Sequence, residues 1–287
     1  MMRRRAVIAV GLAGLTSGCS GFGHRNSAPS SPERMAMIQQ VSQSAQEAFD
    51  RRDWPLAQSE LQRLVAEAPK SAEARHRLGR VLLAQGRTAE AEGEFRQALE
   101  LDKDYVEAIV GLGQIALDAG RLVEALRLLD QAIELEPGRS EAHLARGRTL
   151  EALGRPIDAL AAYFRALEST PGLAPAAVRI ATIQVGQDQF DQALVRLDDV
   201  LELTPNDPEA HALRGRVHLA LKQVGPAVED LKFAADRLPD RPDVFYALAL
   251  ALEAASKQPD ALQAAEKAAK LAPEWVEARE LSAKLRR

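Results

Sequence analysis

The sequence predicts an all-α protein built as a solenoid of stacked helical hairpins, and three observations predict it. Ala57, Ala91, Ala125, Ala159, Ala193, Ala227 and Ala261 recur at a fixed spacing of 34 residues. Pro69, Pro137, Pro171, Pro205, Pro239 and Pro273 keep the same spacing, with Lys103 in the one register that lacks proline. Aromatic residues are only 4% of the 287, too few for a protein that packs rings across sheets, whereas hydrophobic residues at 46% suffice for a large core.

In chain order, the first element is an export signal. Arg3, Arg4 and Arg5 precede the uncharged run Ala6 to Thr16, which at 11 residues is short of a bilayer span; spanning takes about 20. The run ends in Leu15-Thr16-Ser17-Gly18-Cys19, and Cys19 is the chain's single cysteine. These residues resemble the lipobox of bacterial lipoproteins, with Thr16 where Leu is commonest. The resemblance implies that residues 1–18 are removed, that Cys19 is acylated, and that the body hangs from a membrane of the bacterial cell envelope by its lipid anchor alone. Ser20, in place of the Asp that retains such proteins at the inner membrane, favours the periplasmic face of the outer membrane. A plain cleaved secretory signal with an incidental cysteine, or an uncleaved anchor, is the alternative. Residues 19–37, rich in Ser, Gly and Pro up to Pro32, read as a flexible tether.

From Ile38 to Trp275 the chain divides without a gap into seven units: 38–71, 72–105, 106–139, 140–173, 174–207, 208–241 and 242–275. Within a unit the apolar spacing is helical, as in Leu78, Val81 and Leu82, then Ala91, Phe95, Ala98 and Leu99, with a break at Gln85-Gly86-Arg87. Each unit is therefore helix A, a short turn, helix B and a loop whose proline cannot continue helix B. A third series, Ala45, Gly79, Gly113, Gly147, Ala181, Gly215 and Ala249, puts a small residue where A and B cross. One hairpin leaves an apolar face uncovered, so stacking is expected to give one continuous core. Unit five, with Ile180-Ala181 and Asp188 at its turn, is the expected weak joint. Residues 276–287 read as a capping helix, which argues for a monomer.

The small-residue series, the placed alanine and the terminal proline resemble the tetratricopeptide repeat. That resemblance implies a right-handed superhelix with a concave face lined by A helices, and a role in holding proteins or extended peptide segments.

Catalytic chemistry has no visible home. No Gly-rich phosphate loop, zinc-binding His-Glu-x-x-His helix or Gly-x-Ser-x-Gly elbow occurs, and no catalytic residue, metal ligand or cofactor is assigned. A net charge of −4 disfavours nucleic acid as a partner. His143 and His211 share one repeat position and read as packing residues, while Glu73, Glu107, Glu141, Glu209 and Asp243 sit in first turns, where they meet the helix dipole.

By the family's geometry, the groove carries His76, Arg80, Leu83, Val110, Leu117, Leu144, Arg148, Val178, Arg216, Leu219 and Tyr246. Arg80, Arg148 and Arg216 recur every 68 residues, and guanidinium groups suit carboxylates. One reading is that they anchor an extended acidic or mixed partner segment. The other is that Glu107, Glu141 and Glu151 already pair with them. The carboxylate clamp of chaperone-binding relatives is not matched, since the two asparagines are Asn26 and Asn206, in tether and loop. The functional expectation is a non-catalytic interaction scaffold. Alternatives are an assembly factor for an outer-membrane complex of pilus, secretion or barrel-insertion type, and an adaptor for an envelope enzyme whose chemistry lies in the partner.

Overall fold

A computed structural model describes residues 32–286; the signal 1–18 and Cys19 lie outside the described residues. Among these residues it holds fifteen helices and no strand. The A helices are α1 (Pro32–Asp50), α3 (Ala72–Ala84), α5 (Val106–Asp118), α7 (Ser140–Ala152), α9 (Ala174–Gly186), α11 (Pro208–Ala220) and α13 (Pro242–Ala254). The B helices are α2 (Trp54–Glu67), α4 (Thr88–Leu101), α6 (Leu122–Leu135), α8 (Pro156–Ser169), α10 (Phe190–Leu203), α12 (Val224–Arg237) and α14 (Gln258–Leu271), and α15 (Val276–Leu285) follows the last unit. Each A helix packs on its own B helix and each B helix on the next A helix, so the chain is a helical-hairpin solenoid.

The tether expected over 19–37 ends early, because α1 begins at Pro32. Proline is well tolerated in a first helical turn, where its missing N–H has no partner to lose, and Met37 and Ile38 pack on the first core cluster, which rewards the extra turn.

The turns between A and B share one backbone form. Gly86, Gly120 and Gly154 have φ of 71–75°, and in the same register Arg52, Asp188, Lys222 and Ser256 have φ of 57–59°. A left-handed conformation costs a residue with a side chain about 1–2 kcal/mol, so hairpin packing imposes the turn even where the local sequence resists it.

Where A crosses B, the small residue is needed for space. A Cβ on Gly79 would lie 2.5 Å from the Phe95 ring, and one on Gly111 would lie 2.7 Å from its other edge. Phe95 is thus gripped between the A helices of units two and three. Gly113 against Leu129 and Gly215 against Leu231 repeat the fit, at 2.9 and 2.6 Å.

The expected single core is divided into four clusters. One runs from Val41 to Ala142, the others cover Leu150 to Ile180, Ala174 to Val217 and Ala212 to Leu285. Between the first two of these, at 143–149, His143 and Thr149 of α7 are buried; Gln184 in α9 and Asp230 in α12 are buried polar side chains as well. Successive A helices lean on one another from α3 to α7 and again from α9 to α13, while α7 and α9 do not pack comparably.

Candidate partner-binding groove

Because A helices touch their successors from α3 to α7 and from α9 to α13, while B helices do not pack on each other comparably, the A-helix face is the inner one. On it lies a cleft of about 280 Å³ between α3, α5 and the start of α7. Four residues singled out from the sequence, His76, Arg80, Leu83 and Val110, line it together. Arg148, Leu117, Leu144, Val178, Arg216, Leu219 and Tyr246 stand elsewhere along the solenoid.

His76 sits 5.7 Å from the Phe95 ring and 5.5 Å from that of Tyr105. Burial, followed by the charge of Arg80, pushes its pKa from the usual 6.5 down to about 4. It is therefore neutral at pH 7 and presents one donor and one acceptor. Arg80 is exposed and lays its guanidinium 4.7 Å from the Phe49 ring centroid. Such a cation keeps its N–H groups available to a ligand while its stem is held in place.

The acids expected to neutralise the three arginines are engaged elsewhere. Glu107 and Glu141 pair with Arg139 at 3.0 and 3.3 Å. Glu151 pairs with Arg179 at 2.7 Å and accepts the Tyr163 hydroxyl hydrogen bond, which together with burial raises the Tyr163 pKa. Arg80 and Arg216 make no ion pair among the described residues, and Arg148 has a loose one with Asp118 at 3.7 Å.

Arg139 was not anticipated, although a pattern marked it. Arg139 and Arg241 both occupy the last place of a unit, and each clamps the first-turn acids of the units on either side. Arg139 takes Glu107 and Glu141, while Arg241 takes Glu209 at 2.6 Å and Asp243 at 2.8 Å. First-turn acids thus tie neighbouring units together as well as meeting the helix dipole. The paired histidines have an equally structural use. His143 and His211 bring Nε2 to the carbonyls of Pro137 and Pro205, at 2.8 and 3.0 Å, latching the loop that precedes each helix.

The apolar residues of this face are largely covered. Val110 is buried outright, and Leu83, Leu144, Val178, Leu219 and Tyr246 are half-buried against the core clusters. Tyr246 also stacks on Trp275 at 4.7 Å. The two most exposed large apolar residues among those described, Val123 and Ile157, stand in equivalent places on B helices, 79% and 77% accessible. Among the described residues no group of three or more His, Cys, Asp or Glu could hold a metal ion, and no helix is long and apolar enough to cross a membrane.

Family models described as tetratricopeptide repeat match residues 43–106, 82–149 and 150–217. No curated protein matches the sequence. Among solved structures, a chain of the APC/C hetero-tetramer Cut9-Hcn1 superposes over 88% of this chain with a TM-score of 0.71 and 16% identity, and this chain spans 53% of that one. The type IV pilus biogenesis factor PilW covers 73% of this chain and 97% of its own, with a TM-score of 0.62 and 20% identity. YrrB, described as a TPR protein with an unusual peptide-binding site, covers 65% and 96%, with a TM-score of 0.51 and 22% identity. At these identities the likeness is one of fold.

Proposed function

Because this chain belongs to the tetratricopeptide repeat family, a family of protein-interaction scaffolds, we propose that it is a non-catalytic scaffold whose inner face holds an extended acidic or mixed segment of a partner protein. One observation carries this reading: Arg80 and Arg216 stand exposed on the A-helix face without an ion pair, while nearby acids are taken by Arg139, Arg179 and Arg241. An exposed guanidinium that the fold has left unneutralised suits a carboxylate through two parallel hydrogen bonds. Arg148, with its loose partner, is the third anchor. The neutral imidazole of His76 and the amide of Gln114, in the same cleft, supply the uncharged hydrogen bonds that orient a peptide backbone.

The place of action belongs to the same proposal and rests on the sequence. The cationic start, the short apolar run and the lone Cys19 after Gly18 support a lipid-anchored protein of the bacterial cell envelope, with the outer membrane favoured by Ser20. The test is to crosslink the native membrane mildly, isolate the intact protein beside a Cys19→Ala control, and weigh the mature N-terminus. An acylated Cys19 with one dominant envelope partner supports the proposal. An unmodified N-terminus on a protein recovered alone in the soluble fraction overturns it.

A further inference from the structure

The opposite face of the last two units carries a second recognition feature. Helices α12 and α14 flank a cleft of about 570 Å³ with Phe245, Leu248 and Leu252 of α13 among its lining. Its origin lies in one repeat position. Two places before the last residue of helix B in units one to five stand Val65, Leu99, Ile133, Leu167 and Leu201, each packed on a core cluster or part of one. Units six and seven carry Ala235 and Ala269 in that register, and Ala235 lines the cleft. The aliphatic group that fills this position elsewhere is therefore missing, and space is left between the two helices.

The rim is charged and unengaged. Lys232 and Asp236 rise from α12, and Asp260 and Lys267 from α14. None of the four makes an ion pair or hydrogen bond among the described residues, and the Lys267 ammonium lies 5.6 Å from the Phe245 ring centroid. By repeat register the two lysines stand at adjacent levels on opposite walls, with Asp260 towards one end and Asp236 towards the other.

We propose that this cleft docks an amphipathic helix of a partner protein. Its aliphatic row takes the space that Val, Leu or Ile fills in the first five units, and its flanks place acid opposite Lys232 and Lys267 and base opposite the two aspartates. Shape favours a helix, because the walls are two 14-residue helices, each about 21 Å long. A third helix can set a ridge of side chains into such a groove. An extended strand would turn every second side chain away from the apolar lining. The feature is independent of the arginine-lined inner face.

The probe is a fluorescein-labelled synthetic helical peptide of about 14 residues, with leucines at i, i+4 and i+7, a central glutamate and lysines at both ends. It is titrated with the full-length protein. Expected is saturable binding that weakens about tenfold in Ala235→Leu, which restores the residue type of units one to five, and about tenfold in the double variant Lys232→Glu, Lys267→Glu. Arg80→Ala leaves it unchanged. Circular dichroism checks folding of each variant, and the lysine double variant keeps the test intact if Ala235→Leu perturbs the hairpin. No saturable binding, or equal binding by wild type and the lysine variant, overturns the proposal. So does saturable binding of dodecanoate without the peptide, which assigns the cleft to a small amphiphile. Concentration-dependent self-association that Ala235→Leu abolishes overturns it in favour of a second copy of the chain.

Discussion

Glu107 gives its carboxylate to Arg139, at 3.0 Å, and not to Arg80 across the same cleft. Arg139 also holds Glu136 and Glu141, at 3.2 and 3.3 Å. One guanidinium thus gathers three carboxylates and keeps them from cancelling the charge on which the proposed site depends. Arg139→Ala releases Glu107 and Glu141, both of which line the cleft. Binding of the partner segment is expected to weaken roughly fivefold, a cost of about 1 kcal/mol, and the further change Glu107→Gln is expected to recover part of it. Titration of a captured partner segment against both variants checks this; a double variant no better than the single one contradicts it.

The Phe95 ring has glycines at both edges, so it cannot slide away from one without meeting the other. Gly79→Ala is expected to destabilise the chain by about 1–3 kcal/mol, the usual cost of overpacking. Phe95→Leu in the same chain is expected to offset part of that loss. A double-mutant cycle by urea denaturation measures the coupling; simple additivity would show that the crossing is not sterically limited.

His76 makes stability sensitive to mild acid. Its folded pKa of about 4 lies below the ordinary 6.5, so between these values the unfolded chain binds the proton first. The stability present above pH 6.5 is lost as pH falls towards 4, by at most about 3 kcal/mol. His76→Gln is expected to flatten this dependence. Denaturation midpoints of both proteins at pH 7 and pH 4.5 supply the comparison, and an equal drop in both would assign the acid sensitivity to other groups.

Asp230 is a buried carboxylate, 5% accessible, that accepts hydrogen bonds from Arg214 at 2.8 Å and has the His211 Nδ1 at 2.7 Å. Burial alone would raise its pKa, but the bonds from Arg214 and His211 carry it below the usual carboxylate value. Its contribution is present at neutral pH and is lost only as pH falls through that lowered pKa. Asp230→Asn leaves Arg214 short of its main partner, and a loss of about 3 kcal/mol is expected. Calorimetry at neutral pH checks the value; a change under about 0.5 kcal/mol would mean that Asp198, also bonded to Arg214 at 2.8 Å, suffices.

The hairpin register was legible because alanine, glycine and proline at fixed intervals report backbone geometry directly. The start of α1 was hidden, since Ser and Pro suggest a tether while the packing of Met37 and Ile38 depends on helices far along the chain. The left-handed turns at Arg52, Lys222 and Ser256 likewise follow from neighbouring packing, not from those residues' own preferences. At the site, repeat position was enough to bring His76, Arg80, Leu83 and Val110 into one cleft. It could not apportion charge: whether Glu107 meets Arg80 or Arg139 depends on side-chain reach across a loop. Nor could it say that Leu144, Val178 and Leu219 are half-buried, because a period places a residue on a face without saying how far its neighbours cover it.

Whether the inner-face guanidiniums of Arg80, Arg148 and Arg216 hold the partner is decided by replacing all three together with Ala. Partner recovered from native membranes after mild crosslinking is then quantified against the wild-type protein at equal expression and equal helicity. Capture is expected to fall at least about tenfold, since each bond to a charged group is worth about 1.5–3 kcal/mol. Undiminished capture by the triple variant would contradict it and move the binding site off the arginine face.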